Sequence, residues 1–422
     1  MRKYINVDYF LVFFLIALST IPFFKKSVLG MVIILILLGL KYKKLAIKPR
    51  TLMVISIVSV LEIFHFVYYP NYEFFVLRDQ ILYFVIAGLI IYHLKLRFLP
   101  IYNNIIYLFT IISFPIFLTY YVSKDLVVAF SRLFSPFFLT IEQSAFNQYE
   151  RISPIFFTFD GNFLNLGRNN GPFWEPTVFA TMLIIAQIFN FLLTKTLFNK
   201  RGIIFTIAIL TTFSTTGYLA YILLLTCYVV ISKKIKFEFK LVLAISLVLA
   251  SLLFFTRLGF LESKIKSEIQ NVQVDMTEKG GDSRLASAIL DIQEIKNDII
   301  AILFGKGSSK GSRTVYKNSS ILVLRNCGDT ALIVQWGLPF FIFYFALIFI
   351  SFRKLGDFFK VHSLMFSISC TLIIFICGFS ETFFDLPFFH AFIFFGLLNQ
   401  RLLLQAYKSR SNAQNLHLNT NL

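Results

Sequence analysis

The chain of 422 residues is 57% hydrophobic and only 15% charged, holds 54 Phe and carries a formal charge of +18. That much apolar side chain exceeds what a soluble core can hide, so composition excludes a soluble globular enzyme and predicts an all-α, polytopic integral membrane protein. The charge does not indicate nucleic acid, because the Lys and Arg residues fill gaps between apolar runs, as the positive-inside rule requires.

A hydrocarbon core of about 30 Å takes about 20 helical residues. On that ruler twelve spans are expected: 7–24, 27–40, 51–69, 76–94, 101–122, 173–194, 202–213, 217–232, 240–255, 328–352, 361–379 and 388–404. No small-residue cleavage site follows the first, which is read as an uncleaved span. Residues 202–231 divide into two short spans at Ser214-Thr215-Thr216-Gly217. Only then do the basic gaps 41–50, 95–97, 195–201, 233–240 and 353–360, and the tail from Arg401, share a side with Arg2 and Lys3. Both termini are then cytoplasmic. Lys25 and Lys26 are the exceptions and are expected to snorkel.

The chain thus divides into five spans in 1–122, an outer segment 123–172, spans six to nine in 173–255, a large outer loop 256–327, three spans in 328–404 and a polar tail 405–422, expected to be disordered. The first outer segment keeps apolar pieces at 134–141 and 155–159, which predict a surface-hugging or re-entrant piece. The second has apolar residues at 285, 288, 289, 292 and 295, the spacing of an amphipathic helix that lies on the outer leaflet or caps the bundle. Cys227, Cys327, Cys370 and Cys377 fall in or beside apolar stretches and are read as buried small hydrophobes, not as a disulfide or metal framework.

Charge beside a membrane has to be explained, and residues 166–180, LGRNNGPFWEPTVFA, concentrate it. Pro176 suits a first helical turn and Glu175 complements the positive end of that helix, a reading that needs no function. The alternative is chemical: Arg168 holds a phosphate or pairs with Glu175, and a partly desolvated Glu175 acts as general base on a sugar hydroxyl. Arg284, behind Asp282 and Ser283, either heads a capped, solvated helix or is a cationic ligand for a diphosphate. Arg257, Lys310, Arg313, Lys317 and Arg325 add positive charge on the same side, which suits an anionic ligand.

Gly305-Lys306-Gly307-Ser308-Ser309-Lys310-Gly311 has the composition of a phosphate cradle, but no strand precedes it and no Gly-Lys-Ser/Thr ends it. A flexible loop able to wrap a lipid-linked phosphate is the expectation. Glu62, inside a span, is paired with His65 three residues on as a structural intramembrane pair. His65, His93, His362 and His390 are assigned packing or interface roles. No cofactor and no metal is expected.

The Trp-Glu-Pro segment after Arg168, the Ser-Thr-Thr-Gly break, Ser283-Arg284 heading a helix that runs to Leu303-Phe304-Gly305-Lys306-Gly307, and residues 326–329 entering a span with Gln335-Trp336-Gly337-Leu338 together resemble the bacterial O-antigen polymerase and ligase superfamily, over residues 166–352. The resemblance implies a glycosyltransferase of the bacterial cytoplasmic membrane whose site faces outward. Its outer arginines would engage the diphosphate of a polyprenyl-linked glycan, with neither nucleotide sugar nor metal. Arg168 and Arg284 match the arginines of the two motifs, and Glu175 matches the acid of the Glu-Pro turn. Arg257, Lys310, Arg313, Arg325 and Asn326 are then expected to bind substrate.

Asn326 is flanked by Arg325 and Cys327 where the ligase branch has a His, which favours a polymerase over a ligase. The expected partners are a polyprenyl-diphosphate-linked glycan and membrane lipid, with a chain-length regulator and a flippase beside it, and no nucleic acid. A polytopic transporter or flippase of lipid-linked glycans is the rival from another class, but it would line a central cavity with charge instead of gathering it in two long outer segments. Should Glu175 not be the base, Asp160, Asp282 and Glu381 come next.

Overall fold

In lipid a backbone polar group has only the chain itself to bond, so long apolar runs must coil into helices. The computed structural model describes residues 7–25, 27–42, 47–143, 148–160, 167–232, 284–309, 312, 327–361 and 364–398, and most of them are helical. Among the described residues, four stretches are long and apolar enough to cross a membrane, Pro49–Tyr68, Phe74–Val122, Pro176–Thr194 and Leu338–Phe358. Shorter apolar helices cover Val7–Thr20, Val28–Lys41, Thr215–Ile231, Leu364–Ser380 and Pro387–Leu397. This is a helical membrane protein. The expected span 240–255 and the tail 405–422 lie outside the described residues.

Helices α1 (Val7–Thr20) and α2 (Val28–Lys41) form a hairpin, followed by α3 (Pro49–Tyr68), α4 (Phe74–Leu94) and α5 (Phe98–Val122). The stretch Phe74–Val122 doubles back at a single 3-10 turn, Lys95–Arg97, where Lys95 takes a left-handed φ of 51°. Next come the short helices α6 (Lys124–Arg132) and α7 (Ser135–Phe138), then α8 (Pro176–Thr194), α9 (Lys200–Thr211) and α10 (Thr215–Ile231). The chain closes with α11 (Arg284–Ile295), α12 (Ile299–Phe304), α13 (Gly328–Trp336), α14 (Leu338–Phe358), α15 (Leu364–Ser380) and α16 (Pro387–Leu397).

α8 and α16 form the centre of the bundle. Both open with proline in the first turn, and both are buried on every side, as expected of helices apolar all round. α16 packs against α1, α4 and α14, while α8 packs against α5, α9 and α10. Polar side chains fix the α8–α9 pairing: the Gln187 amide donates to Gly202 O at 2.7 Å and to Thr206 Oγ1 at 3.0 Å.

The expected break in 202–231 is present. α9 ends at Thr211, and the Ser214 hydroxyl accepts from Gly217 N to start α10. The Tyr218 hydroxyl donates to Leu210 O at 2.7 Å, and the Tyr221 and Thr206 hydroxyls meet at 2.6 Å, so the two helices zip together as an antiparallel hairpin. Gly217 lets α10 press on α8, because a Cβ there would lie 2.6 Å from the Cβ of Ala180.

Two expectations need correction. The single span 328–352 is broken at Gly337, whose φ of 82° separates α13 from α14. The all-α expectation has one exception among the described residues, within 123–172: β1 (Leu139–Gln143), β2 (Gln148–Ile152) and β3 (Phe159–Asp160) make an antiparallel sheet in that order. Alternating residues such as Leu139-Thr140-Ile141-Glu142 have the strand period, but five residues of it are faint against so apolar a background. Val127, Ile152, Phe157 and Phe159 give this cap its own small core.

The two ends of the bundle differ chemically. At one end Asp8 is ringed by Lys41, Tyr42 and Arg97, the last at 3.1 Å, and Lys195 and Lys354 donate to carbonyls at helix ends, Leu192 O at 3.1 Å and Leu398 O at 3.2 Å. The opposite end, under the β cap, is the mouth.

Candidate functional site

Four separate stretches converge at the mouth: the loop before α8, the α9–α10 break, the start of α11 and the link between α15 and α16. Glu175 occupies the N-cap position of α8 in extended conformation, φ −145° and ψ 154°, but its side chain caps nothing in that helix. The carboxylate is turned instead toward guanidinium groups. Arg284 Nη2 lies 3.9 Å from its Oε2, and Arg151 Nη2 lies 3.9 Å from its Oε1.

Arg284 opens α11, and its Nε donates to Ser380 O at 2.9 Å, tying the start of α11 to the end of α15. The same guanidinium lies 3.5 Å from Glu381 Oε1. Glu381 follows α15 directly, and its Oε2 accepts from the Trp174 indole at 3.3 Å. Lys25 Nζ stands 3.8 Å from the centre of the Trp174 ring. This places the first exception to the charge pattern in the mouth itself; Lys26 lies outside the described residues.

The two acids are unlike. The Glu175 side chain keeps 38% of its surface accessible, while Glu381 keeps 10%, so Glu175 is the more open of the two. Burial pushes the Glu381 carboxyl well above the usual carboxylate range, and the neighbouring charge of Glu175 pushes it further. Burial also opposes ionisation of Glu175, but the hydrogen bond from Glu381 and the charges of Arg284, Arg151 and Arg168 outweigh it and hold its carboxyl below the ordinary value. Glu175 is therefore the member that ionises more readily.

Arg168 plays a different part from the one expected of it. Its Nε donates to Thr212 O and its Nη2 to Phe213 O, both at 3.1 Å, so it satisfies carbonyls left open where α9 ends. Its charge still reaches Glu175 at longer range. The break residues are joined to the site too: the Thr216 and Ser380 hydroxyls are hydrogen-bonded, and Ser214 Oγ donates to Thr177 Oγ1 at 3.2 Å.

Thus Glu175 and Arg284 meet, Arg168 stands behind them, and Arg151 and Trp174 complete the mouth. Arg151 was not a candidate, because an arginine in an outer segment of mixed composition carries no signal of its own. Arg257, Lys310, Arg313, Arg325 and Asn326 lie outside the described residues, as do Lys317 and Asp282. Asp160 ends β3.

The described part of the glycine-rich loop, 305–309, is held by the protein itself, and Lys310 and Gly311 lie outside the described residues. Lys306 N donates to Val334 O and Gly307 N to Gln335 O, at 2.7 and 2.8 Å, and Ser308 N donates to the Tyr72 hydroxyl at 3.2 Å, so the amides a phosphate would need are spent. Lys306 is buried, 3.7 Å from Glu294. The loop instead buckles α12 to α3 and α13: His65 Nε2 lies 2.7 Å from Phe304 O and the Tyr69 hydroxyl donates to Gly305 O at 3.0 Å. His65 does adjoin Glu62, at 3.9 Å, but the closer partner of Glu62 is the hydroxyl of Tyr72, ten residues on.

The packing roles of the other histidines are visible as well, His93 stacked on Tyr42 and His390 on Phe84, with His362 outside the described residues. The four cysteines are free and buried. α11 forms where its periodicity predicts, but Leu285 and Ile292 stay exposed while Ser287 and Asp291 are buried, Asp291 accepting from Thr330 at 2.6 Å. The buried face mixes Ala286, Ala288, Leu290 and Ile295 with Ser287 and Asp291, so only part of the expected apolar stripe is covered.

What this geometry can do is hold an anion on arginines beside Glu175, the more accessible of the two glutamates. Comparison with protein-family models, curated proteins and solved structures finds no match to this chain.

Proposed function

We propose that the protein is a polysaccharide polymerase, a membrane glycosyltransferase that joins polyprenyl-diphosphate-linked repeat units on the outer face of the bacterial cytoplasmic membrane. The observation that carries the reading is Arg284 held between Glu175 and Ser380 at a membrane-borne mouth. The resemblance of the surrounding motifs to the O-antigen polymerase and ligase superfamily adds to it. Twelve spans with both termini cytoplasmic belong to the same proposal. The α9–α10 hairpin supports that count, as does the shared end at which α1 begins and α16 finishes.

In this reaction the acceptor hydroxyl oxygen attacks the anomeric carbon of the donor. The bond from that carbon to the diphosphate breaks, and the diphosphate leaves with its electron pair. Arg284, with Arg151 and Arg168 near it, meets the departing charge. Glu175 takes the hydroxyl proton. The leaving group is already activated, so the protein has to supply cations, one base and alignment.

The test is purified protein given lipid-linked repeat units, scored for polymer ladders and released polyprenyl diphosphate. Arg284→Ala is expected to abolish polymer while leaving membrane insertion intact. Arg284→Lys should restore only part of it, because an ammonium cannot hold Ser380 O and offer a two-pronged face to phosphate together. Full-length polymer from Arg284→Ala would remove this residue from the mechanism, and transfer of glycan to a non-polymer acceptor alone would favour a ligase.

A further inference from the structure

The β cap is reached through α6 and α7, and these helices expose apolar side chains that the proposed chemistry does not use. Leu126, Phe130, Leu133 and Phe137 are all exposed, Leu133 and Phe137 to 69% and 76%. Their spacing is that of one helix face. Leu133 and Phe134, which join the two helices, keep right-handed helical backbone, so the face runs unbroken through the join. Val127 and Phe134 turn a second side into the core of the cap. Lys124, Asp125 and Arg132 are exposed on the third side, about 110–150° around from the apolar stripe at about 100° per residue. A helix with an apolar stripe facing away from its charges lies in the plane of a membrane surface.

The direction of the segment agrees. α6 starts two residues after Val122 ends α5, and at the far end Phe138 meets Phe23 of the α1–α2 turn, ring centroids 5.0 Å apart. Both α5 and α1 finish at the mouth: Tyr121 donates to Gly167 O at 2.7 Å, and Lys25 stands over Trp174. Residues 123–138 therefore run across the end of the bundle, from one helix end to another. The wall of α5 names what covers their stripe. Leu118 and Val122 are exposed in the last turns of a stretch long and apolar enough to cross a membrane, and Leu126 continues from them.

We infer that α6 and α7 form an in-plane anchor whose partner is the acyl region of the lipid leaflet at the mouth, and that this anchor seats the β cap over Glu175. The link from anchor to site is short. Ser153 N donates to Phe138 O at 3.0 Å, and β1, which follows α7 directly, pairs Thr140 with Arg151. Arg151 Nη2 in turn lies 3.9 Å from Glu175 Oε1. A leaflet that holds α7 at a fixed depth thus holds Arg151 at a fixed height over the carboxylate. Of the piece 155–159 expected to hug the surface, Phe157 and Phe159 are spent in the cap core, and the lipid contact falls on α6 and α7 instead.

The test is depth-dependent quenching. The native cysteines are buried, so Leu133→Cys and Phe137→Cys, each in the full chain, are labelled with an environment-sensitive fluorophore and reconstituted into phosphatidylcholine–phosphatidylglycerol vesicles. Three quenchers are compared: iodide on both sides of the bilayer, lipid spin-labelled just below the headgroup, and lipid spin-labelled near the chain end. Both labels are expected to respond most to the shallow lipid, as a helix seated about 5–10 Å into the headgroup–acyl boundary requires. Asp125→Cys should respond to iodide, and Ile111→Cys, exposed midway along α5, to the deep lipid. Iodide quenching of the stripe labels would place the face in water and overturn the anchor. Protection from all three quenchers would mean that protein covers it, from a second copy or another part of this chain, and overturns it equally. Quenching as deep as that of Ile111→Cys would make the segment re-entrant and remove the in-plane reading. If either stripe variant does not fold, Leu126→Cys reads the same face and must give the shallow result.

Discussion

Glu175 stands at a helix N-terminus without capping it, and this separates two explanations that the sequence leaves level. If the residue only complemented the helix end, Glu175→Gln would cost a few tenths to about 1 kcal/mol of stability and leave most activity. Its carboxylate faces Arg284 and Arg151, so the isosteric change is expected to leave protein levels normal and remove a general-base contribution of roughly a hundredfold or more. Turnover of lipid-linked repeats at matched protein amounts decides it. Near-normal turnover would return Glu175 to the helix end and move the base elsewhere. At this scale the sequence is informative where a charge stands beside an unusual backbone, as in Trp-Glu-Pro. It is silent where the partner comes from another span: nothing local to Glu381 says that it shares Arg284 with Glu175, 206 positions earlier in the chain.

At the scale of elements, periodicity and breakers locate most of the helices, and the errors have a common cause. Gly305, Gly307 and Gly337 read as loop composition or pass unnoticed inside an apolar run, yet each has a positive φ and a neighbour where a Cβ would go. Gly305 takes φ +80°, and a Cβ on it would lie 2.3 Å from Gln335 O and 2.6 Å from Trp336 N, backbone atoms that cannot step aside. What composition presents as a flexible loop is a buckle. Gly305→Ala is therefore expected to cost about 1–3 kcal/mol from the left-handed backbone alone, and more from the clash. A melting curve of the detergent-solubilised variant against Ser308→Ala provides the check. Equal melting temperatures would mean that the buckle carries no stability.

Across the whole molecule, charge segregation is the property that sequence displays best and that packing explains in a second way. Lys195 and Lys354 reach carbonyls at helix ends, so the basic gaps complement helix termini as well as any membrane potential. Lys25 breaks the pattern because it packs on Trp174, 149 positions later, a contact that no local rule contains. The proposed orientation puts the β cap outside and the α14–α15 turn inside. The native cysteines are all buried, so single introduced cysteines can be read with little background. A membrane-impermeant thiol reagent applied to intact cells is expected to tag Lys124→Cys and Gln148→Cys in the cap, and Ser267→Cys in the large loop. It should spare Lys200→Cys and Lys360→Cys until the membrane is permeabilised. Lys200 and Lys360 are exposed at the end away from the mouth, so labelling of either from outside would reverse the orientation and put the arginines and carboxyls on the cytoplasmic side, where the proposed outer-face reaction could not occur.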